Sequence, residues 1–321
     1  MHHPVSSKEN IRHWACLLTC LIFLLLPFLQ SCHRGPNKAE LQSRLESLLG
    51  AFHGKAGLYV YYPRTGLEIA VNADTLFPTA SMIKVPILCK LWSNVGQGIL
   101  NPDSVISFFA DSLHYTKGED ALGRFAPGET ILIRQLMTHM ITFSDNNASL
   151  YLQEIAGGGA SVNEWLAKEG FANTRINSRV KGREAIWAVY HWGQTSPREM
   201  ANLFLRIRNG EIVNPAISEI IYRHLIRIYW NGEALSQVPP YVQAASKQGA
   251  DDRTKSETVL VNAPHGDYVF SIITKNQQDT SWVKNNEGYV LIRKVSSLLW
   301  NTFEPHSGWK PKPEVEKYLP F

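Results

Sequence analysis

The chain has 321 residues, 44% hydrophobic and 19% charged, which suits one two-lobed globular domain rather than a small single core or a disordered chain. A net charge of +4, spread over scattered basic residues, argues against nucleic acid as a partner, because that requires a clustered basic face. Four cysteines do not make a disulfide framework: Cys16, Cys20 and Cys32 fall in or beside an N-terminal leader, and Cys89 is left as a small core residue in the apolar run VPILCKLW.

Lys8 and Arg12 precede the apolar run ACLLTCLIFLLLPFL (15–29), and Gln30-Ser31-Cys32 follow. A basic start, a short apolar core and small exit residues predict a secretory signal over 1–31, too short for a membrane span. Leu29 to Cys32 also resembles a bacterial lipobox, which implies that Cys32 is lipidated and anchors an exported, periplasmic or cell-envelope protein to the membrane. Residues 32–37 read as a linker. AELQSRLESLLGAF (39–52) puts Leu41, Leu45, Leu48, Leu49 and Phe52 on one helical face. GLYVYYPRTGLEIAVN (57–72) is two β-rich runs around a Pro63–Gly66 turn, a hairpin signal. From 81 to about 230 the periodicity is mainly helical. Strands return in 241–274, an amphipathic helix closes the domain over 287–303, and 304–321 form a tail rich in Pro and Lys.

This order predicts an α/β (α+β) domain over 38–303. An antiparallel sheet flanked by the terminal helices (38–80 and 231–303) carries an inserted all-helical lobe (81–230). The cleft between the two is the natural ligand site.

Three short motifs could carry chemistry. In PTASMIKVPIL (78–88), Ser81 and Lys84 are three apart at a helix start, with Thr79 and Ser81 as capping types, so hydroxyl and amine share a face. A neutral lysine there takes the serine proton and activates a weak nucleophile. In FSDNNAS (143–149), Ser144 is a proton relay and Asn146 an amide ligand; an ordinary turn with Asp145 as helix cap explains the same letters. In ASKQGADD (245–252), Lys247 suits a substrate anion and Gly249 a close backbone approach. Each is weak alone: Ser-x-x-Lys recurs at Ser178–Lys181 and Ser281–Lys284, and Lys-x-Gly at Lys55–Gly57. No histidine pair has the spacing of a metal site, so neither metal nor cofactor is expected.

In this order and spacing, together with GFANTR (170–175) and TSPREMA (195–201), the three motifs resemble the class A serine β-lactamase family over residues 38–303. The resemblance implies a β-lactamase/transpeptidase-like fold and a monomer acting on a β-lactam or cell-wall peptide. It implies that Ser81 is acylated, Lys84 activates it, and Ser144 protonates the leaving nitrogen. Asn146 holds the substrate amide, Lys247 attracts its carboxylate, and the N–H groups of Ser81 and Ala250 form the oxyanion hole. Gln248 stands where the family usually has Thr or Ser, a bulkier group at the carboxylate position.

A second departure concerns deacylation. The family's water-activating glutamate lies five residues beyond the arginine of the TR pair; counting from Arg175 gives Val180. The ion pair bracing that loop is missing as well, with Ser178 and Gly193 in its places. Glu184, one helical turn on, is the loop's remaining unassigned acid, and it reads either as a displaced base or as a surface glutamate beside Arg183. The readings are therefore a β-lactam-opening serine hydrolase, a D-Ala-D-Ala peptidase or related cell-wall amide hydrolase, or a non-turnover binder.

Overall fold

The computed structural model describes residues 37–107, 121–126 and 128–320. The predicted signal segment and Cys32 lie outside the described residues. Helix α1 (Lys38–Gly50) buries Leu41, Leu45 and Leu49, one residue per turn. Strands β1 (Lys55–Tyr62) and β2 (Leu67–Val71) form the predicted hairpin, and its turn needs Gly66 at φ 68°. The short β3 (Phe77–Pro78) leads through a 3-10 turn, Ala80–Ile83, into α2 (Lys84–Gly96).

The insertion continues through β4 (Val105–Ser107), β5 (Thr130–Leu132), α3 (Ile133–Thr142), α4 (Asn146–Ile155) and α5 (Gly158–Lys168). It ends with β6 (Arg175–Ile176), α6 (Glu184–Tyr190), β7 (Gly193–Thr195), α7 (Pro197–Arg208) and α8 (Pro215–Leu225). Strands β8 (Ala244–Asp251), β9 (Thr254–Val261) and β10 (Tyr268–Lys275) follow, then α9 (Glu287–Phe303) and the short α10 (Pro313–Glu316).

The main sheet is antiparallel with five strands in the order β2-β1-β10-β9-β8. Side-chain alternation divides its two faces. Tyr268, Phe270 and Ile272 of β10, with Val259 and Val261 of β9, pack under Leu45 of α1 and Ile292 and Leu299 of α9. Val269, Ile273 and Leu260 point the other way and share a core with Leu88, Leu136 and Phe204 of the helical lobe. Ala245 of β8 joins that second core, so Lys247 and Gly249, at two-residue steps, are presented to the helical lobe as well.

The structure departs from the sequence reading in two places. The 81–230 region is not uniformly helical: β3, β7 and β6 make a small sheet that ties the approach to Ser81 to the Val180 loop. Strands of two or three residues are too short to show a period. The loop itself contains helix α6, beginning at Glu184.

Candidate active site

Ser81 lies in the 3-10 turn rather than at an α-helical cap. Neither Thr79 nor Ser81 caps by side chain; Thr79 Oγ1 is buried without a hydrogen-bond partner. The turn is held by main chain instead: Thr79 N donates to Gly193 O (2.9 Å) and Met82 N to Thr79 O (3.1 Å). Ala80 sits at φ 44°, a left-handed conformation costing alanine about 1–2 kcal/mol. It swings the chain from extended β3 into the turn within one residue.

Strand β8 presses directly on this turn. A Cβ at Gly249 would fall 2.5 Å from Thr79 O and 2.9 Å from Ser81 N, so glycine alone allows the approach. The next residue on β8 is Ala250, whose N–H and that of Ser81 are the oxyanion donors implied by the resemblance.

Lys84 opens α2 and is buried. Its ammonium donates to Ser81 Oγ (3.0 Å), Asn146 Oδ1 (2.7 Å) and Ser144 Oγ (3.2 Å), and also to Ser144 O. Ser144 stands at φ 60° between α3 and α4. Asp145 does cap α4, accepting from Ala148 N at 2.8 Å, and it also receives Leu122 N at 3.1 Å. The cap and the polar pair beside it are one device: the anchored Asp145 holds Ser144 and Asn146 against Lys84.

Lys247 completes the group. It is fully buried, and its Nζ donates to Ser144 Oγ (3.0 Å), Gln248 O (2.9 Å) and Gln248 Oε1 (2.9 Å). Burial, then repulsion from Lys84, pushes its pKa well below the ordinary lysine value, while Glu233 and Glu257 pull it up. A continuous polar path therefore runs Ser81–Lys84–Ser144–Lys247–Gln248.

The two glutamates were not legible as site residues. Glu257 of β9 accepts from Ser246 Oγ (2.6 Å) and Ala234 N (2.7 Å), and burial raises its pKa to about 7. Glu233 is buried beside it, raised by burial and by the Glu257 charge. The one available signal is an acid in the middle of an apolar strand, SETVLV.

Glu184 does not join this group. It is exposed at the start of α6, and its carboxylate accepts from Gly182 N at 3.0 Å. Hydrogen bonding from its own backbone N–H, and then from that of Gly182, keeps its carboxyl below the usual range. It borders a surface cleft with Asn177, Val180, Lys181 and Trp187. Val180, at the position where the resemblance calls for the base, packs onto α5: a Cβ at Gly159 would fall 2.5 Å from its Cγ2. In place of the missing ion pair stands one cation bonded to two neutral amides. Arg183 donates to Asn177 Oδ1 (2.8 Å) and Gln194 Oε1 (2.9 Å), closing the neck of the loop, while Glu199 receives the N–H groups of Ala172, Asn173 and Thr174 at 2.7–2.9 Å.

Among the described residues no cluster of His, Cys, Asp and Glu could hold a metal ion, and no helix is long and apolar enough to cross a membrane.

A sequence profile of the Beta-lactamase enzyme family matches residues 40–303. The β-lactamase VEB-1 of Pseudomonas aeruginosa is 21% identical over 295 residues, covering 88% of this chain and 97% of that protein. A solved structure of a PBP-A mutant, captured as an acyl-enzyme complex with penicillin G, is 26% identical with a TM-score of 0.73 and covers 83% of this chain and 97% of that one. A β-lactamase from Sphaerobacter thermophilus, 19% identical, superposes with a TM-score of 0.74 over 84% of this chain and 99% of that one, a likeness of fold.

Proposed function

Because the chain belongs to the class A β-lactamase family, we propose that it is a penicillin-recognising serine acyl-transfer enzyme whose acyl-enzyme is long-lived. The observation that carries this is the unbroken path from Ser81 Oγ through Lys84 and Ser144 to Lys247, at 3.0, 3.2 and 3.0 Å. Ser81 Oγ adds to the amide carbonyl as a deprotonated Lys84 takes its proton. The N–H groups of Ser81 and Ala250 stabilise the oxyanion, each worth about 3 kcal/mol. When the tetrahedral centre collapses the C–N bond breaks, the proton passes by way of Ser144 to the leaving nitrogen, and an ester on Ser81 remains. Asn146, joined to Lys84 at 2.7 Å, orients the substrate amide.

Hydrolysis of that ester is the weak half. Val180 is a packing residue and the Glu184 carboxylate is exposed and bound to Gly182 N, which supports slow water activation. The same chemistry suits a cell-wall peptidase, and the signal and lipobox pattern ending at Cys32 favours an exported, membrane-tethered setting for it. The test is incubation with a chromogenic cephalosporin followed by intact-mass measurement. The expected result is an adduct on Ser81 that outlasts the colour change and is lost in Ser81→Ala. Rapid turnover without a persistent adduct overturns the slow-deacylation reading, and no adduct at any concentration overturns acyl transfer.

A further inference from the structure

The cation expected to greet a substrate carboxylate is already occupied. An ammonium has three N–H groups. Those of Lys247 meet three acceptors, Ser144 Oγ at 3.0 Å, Gln248 O at 2.9 Å and Gln248 Oε1 at 2.9 Å, with no exposed surface left on the residue. Gln248 is itself only 7% exposed, so its carboxamide oxygen is packed beside the ammonium rather than swinging in solvent. With Oε1 taken up by the lysine, the N–H₂ group is the part of the amide that can serve a ligand. That group is a neutral donor, which serves a carbonyl or a carboxylate oxygen but adds no full charge for the latter.

The surroundings agree. Behind β8, the buried Glu233 and Glu257 already oppose the charge of Lys247. The β9 residues opposite Gly249 and Lys247 are Ser256 and Thr258, both neutral and both bonded internally, to Gly249 O at 2.9 Å and Ser271 Oγ at 2.7 Å. On the other side of Ser144 the neighbours are rings: Phe143 and Tyr229 are exposed with centroids 5.6 Å apart, and Trp230 Nε1 ties to Phe143 O at 2.8 Å. The cation that β9 does carry, Lys255, stands opposite Ala250, and its ammonium donates to Asp251 O at 2.5 Å and lies 4.1 Å from the centre of the Trp282 ring.

We propose that Gln248 makes this site selective for amides whose leaving-group side carries a neutral carbonyl, such as an internal peptide amide, over those that carry a free carboxylate. The inference rests on the acyl-transfer reading above and narrows its substrate class. A carboxylate must displace Gln248 Oε1 from Lys247 to gain the charge, while a neutral carbonyl accepts from the amide as it stands.

The experiment compares a chromogenic cephalosporin acid with its methyl ester, following Ser81 adduct formation by stopped flow and intact mass. It uses the parent protein, Gln248→Thr and Gln248→Ser, with melting temperatures to establish that each variant is folded. The expected result is that the ester acylates the parent faster than the acid does, and that the acid-to-ester ratio rises at least tenfold in a folded hydroxyl variant. Faster acylation of the parent by the acid, or a ratio that moves in neither variant, overturns the proposal. Failure of both compounds to label Ser81 overturns the acyl-transfer reading, and this inference falls with it.

Discussion

Gly249→Ala places one methyl group where strand β8 meets the nucleophile turn. Its carbon would lie 2.5 Å from Thr79 O, 2.9 Å from Ser256 Oγ and 2.9 Å from Ser81 N. Two of those three atoms are backbone, so rotamer change cannot relieve the clash. The strand and turn must part by about 1 Å, a misplacement that costs on the order of 100-fold in rate when it falls on reacting groups. The displaced atoms include Ser81 N and the residue before Ala250 N, so the loss falls on oxyanion stabilisation. Overpacking lowers stability by about 1–3 kcal/mol at the same time. The assay is the second-order rate of Ser81 adduct formation at a temperature where the variant is folded by circular dichroism. The control is Gly66→Ala, at φ 68° in the β1–β2 turn, which loses about 1 kcal/mol of stability and no acylation rate. Acylation by Gly249→Ala within threefold of the parent would refute the close-approach argument.

Three further outcomes are expected. Arg183→Met removes the fork to Asn177 and Gln194, so amide hydrogen exchange over 177–194 accelerates and stability falls by about 1–3 kcal/mol; unchanged exchange means the fork is not a brace. Glu184→Gln leaves the acyl-enzyme lifetime within twofold of the parent, since that carboxylate is exposed and bound to Gly182 N; a lifetime tenfold longer restores Glu184 as the base. Glu257 has a folded pKa raised to about 7, so the native state holds its proton more firmly than the unfolded chain. Its contribution to stability is full below the unfolded carboxylate pKa and is lost as pH rises through about 7, and urea titrations in Glu257→Gln should show a flatter decline between pH 5 and 8. An identical slope in the variant assigns the decline elsewhere.

The late strands were legible because β-branched and aromatic runs are a local pattern, but their two faces were not, since β9 and β10 are buried on both sides. Val269 and Ile273 are assigned to one core and Phe270 and Ile272 to the other only by what each packs against. The Ser81–Lys84 pairing was legible, since three residues span one helical turn whether α or 3-10. What escaped were contacts set by tertiary approach. Ala80 at φ 44° stands beside the contact of β8 with Thr79, and nothing in TAS announces either. Glu233 and Glu257 meet only because Ala234 docks beneath β9. The bulk of Gln248 was apparent, but not that its amide oxygen turns inward to Lys247. For Glu184, residue type and distance along the chain suited a base, but neither could tell that it stands exposed with its carboxylate on Gly182 N.

The pairing of β1 with β10 sets residue 55 opposite residue 275, so the central seam of the sheet joins two distant parts of the chain. Local helices of the insertion can form early, but this seam must bear the entropy of closing a very long loop. During synthesis β1 has only its hairpin partner β2 until residue 275 has emerged, so the nascent chain cannot close its sheet. A polypeptide that stays open until nearly complete is one that can still be threaded through a narrow pore.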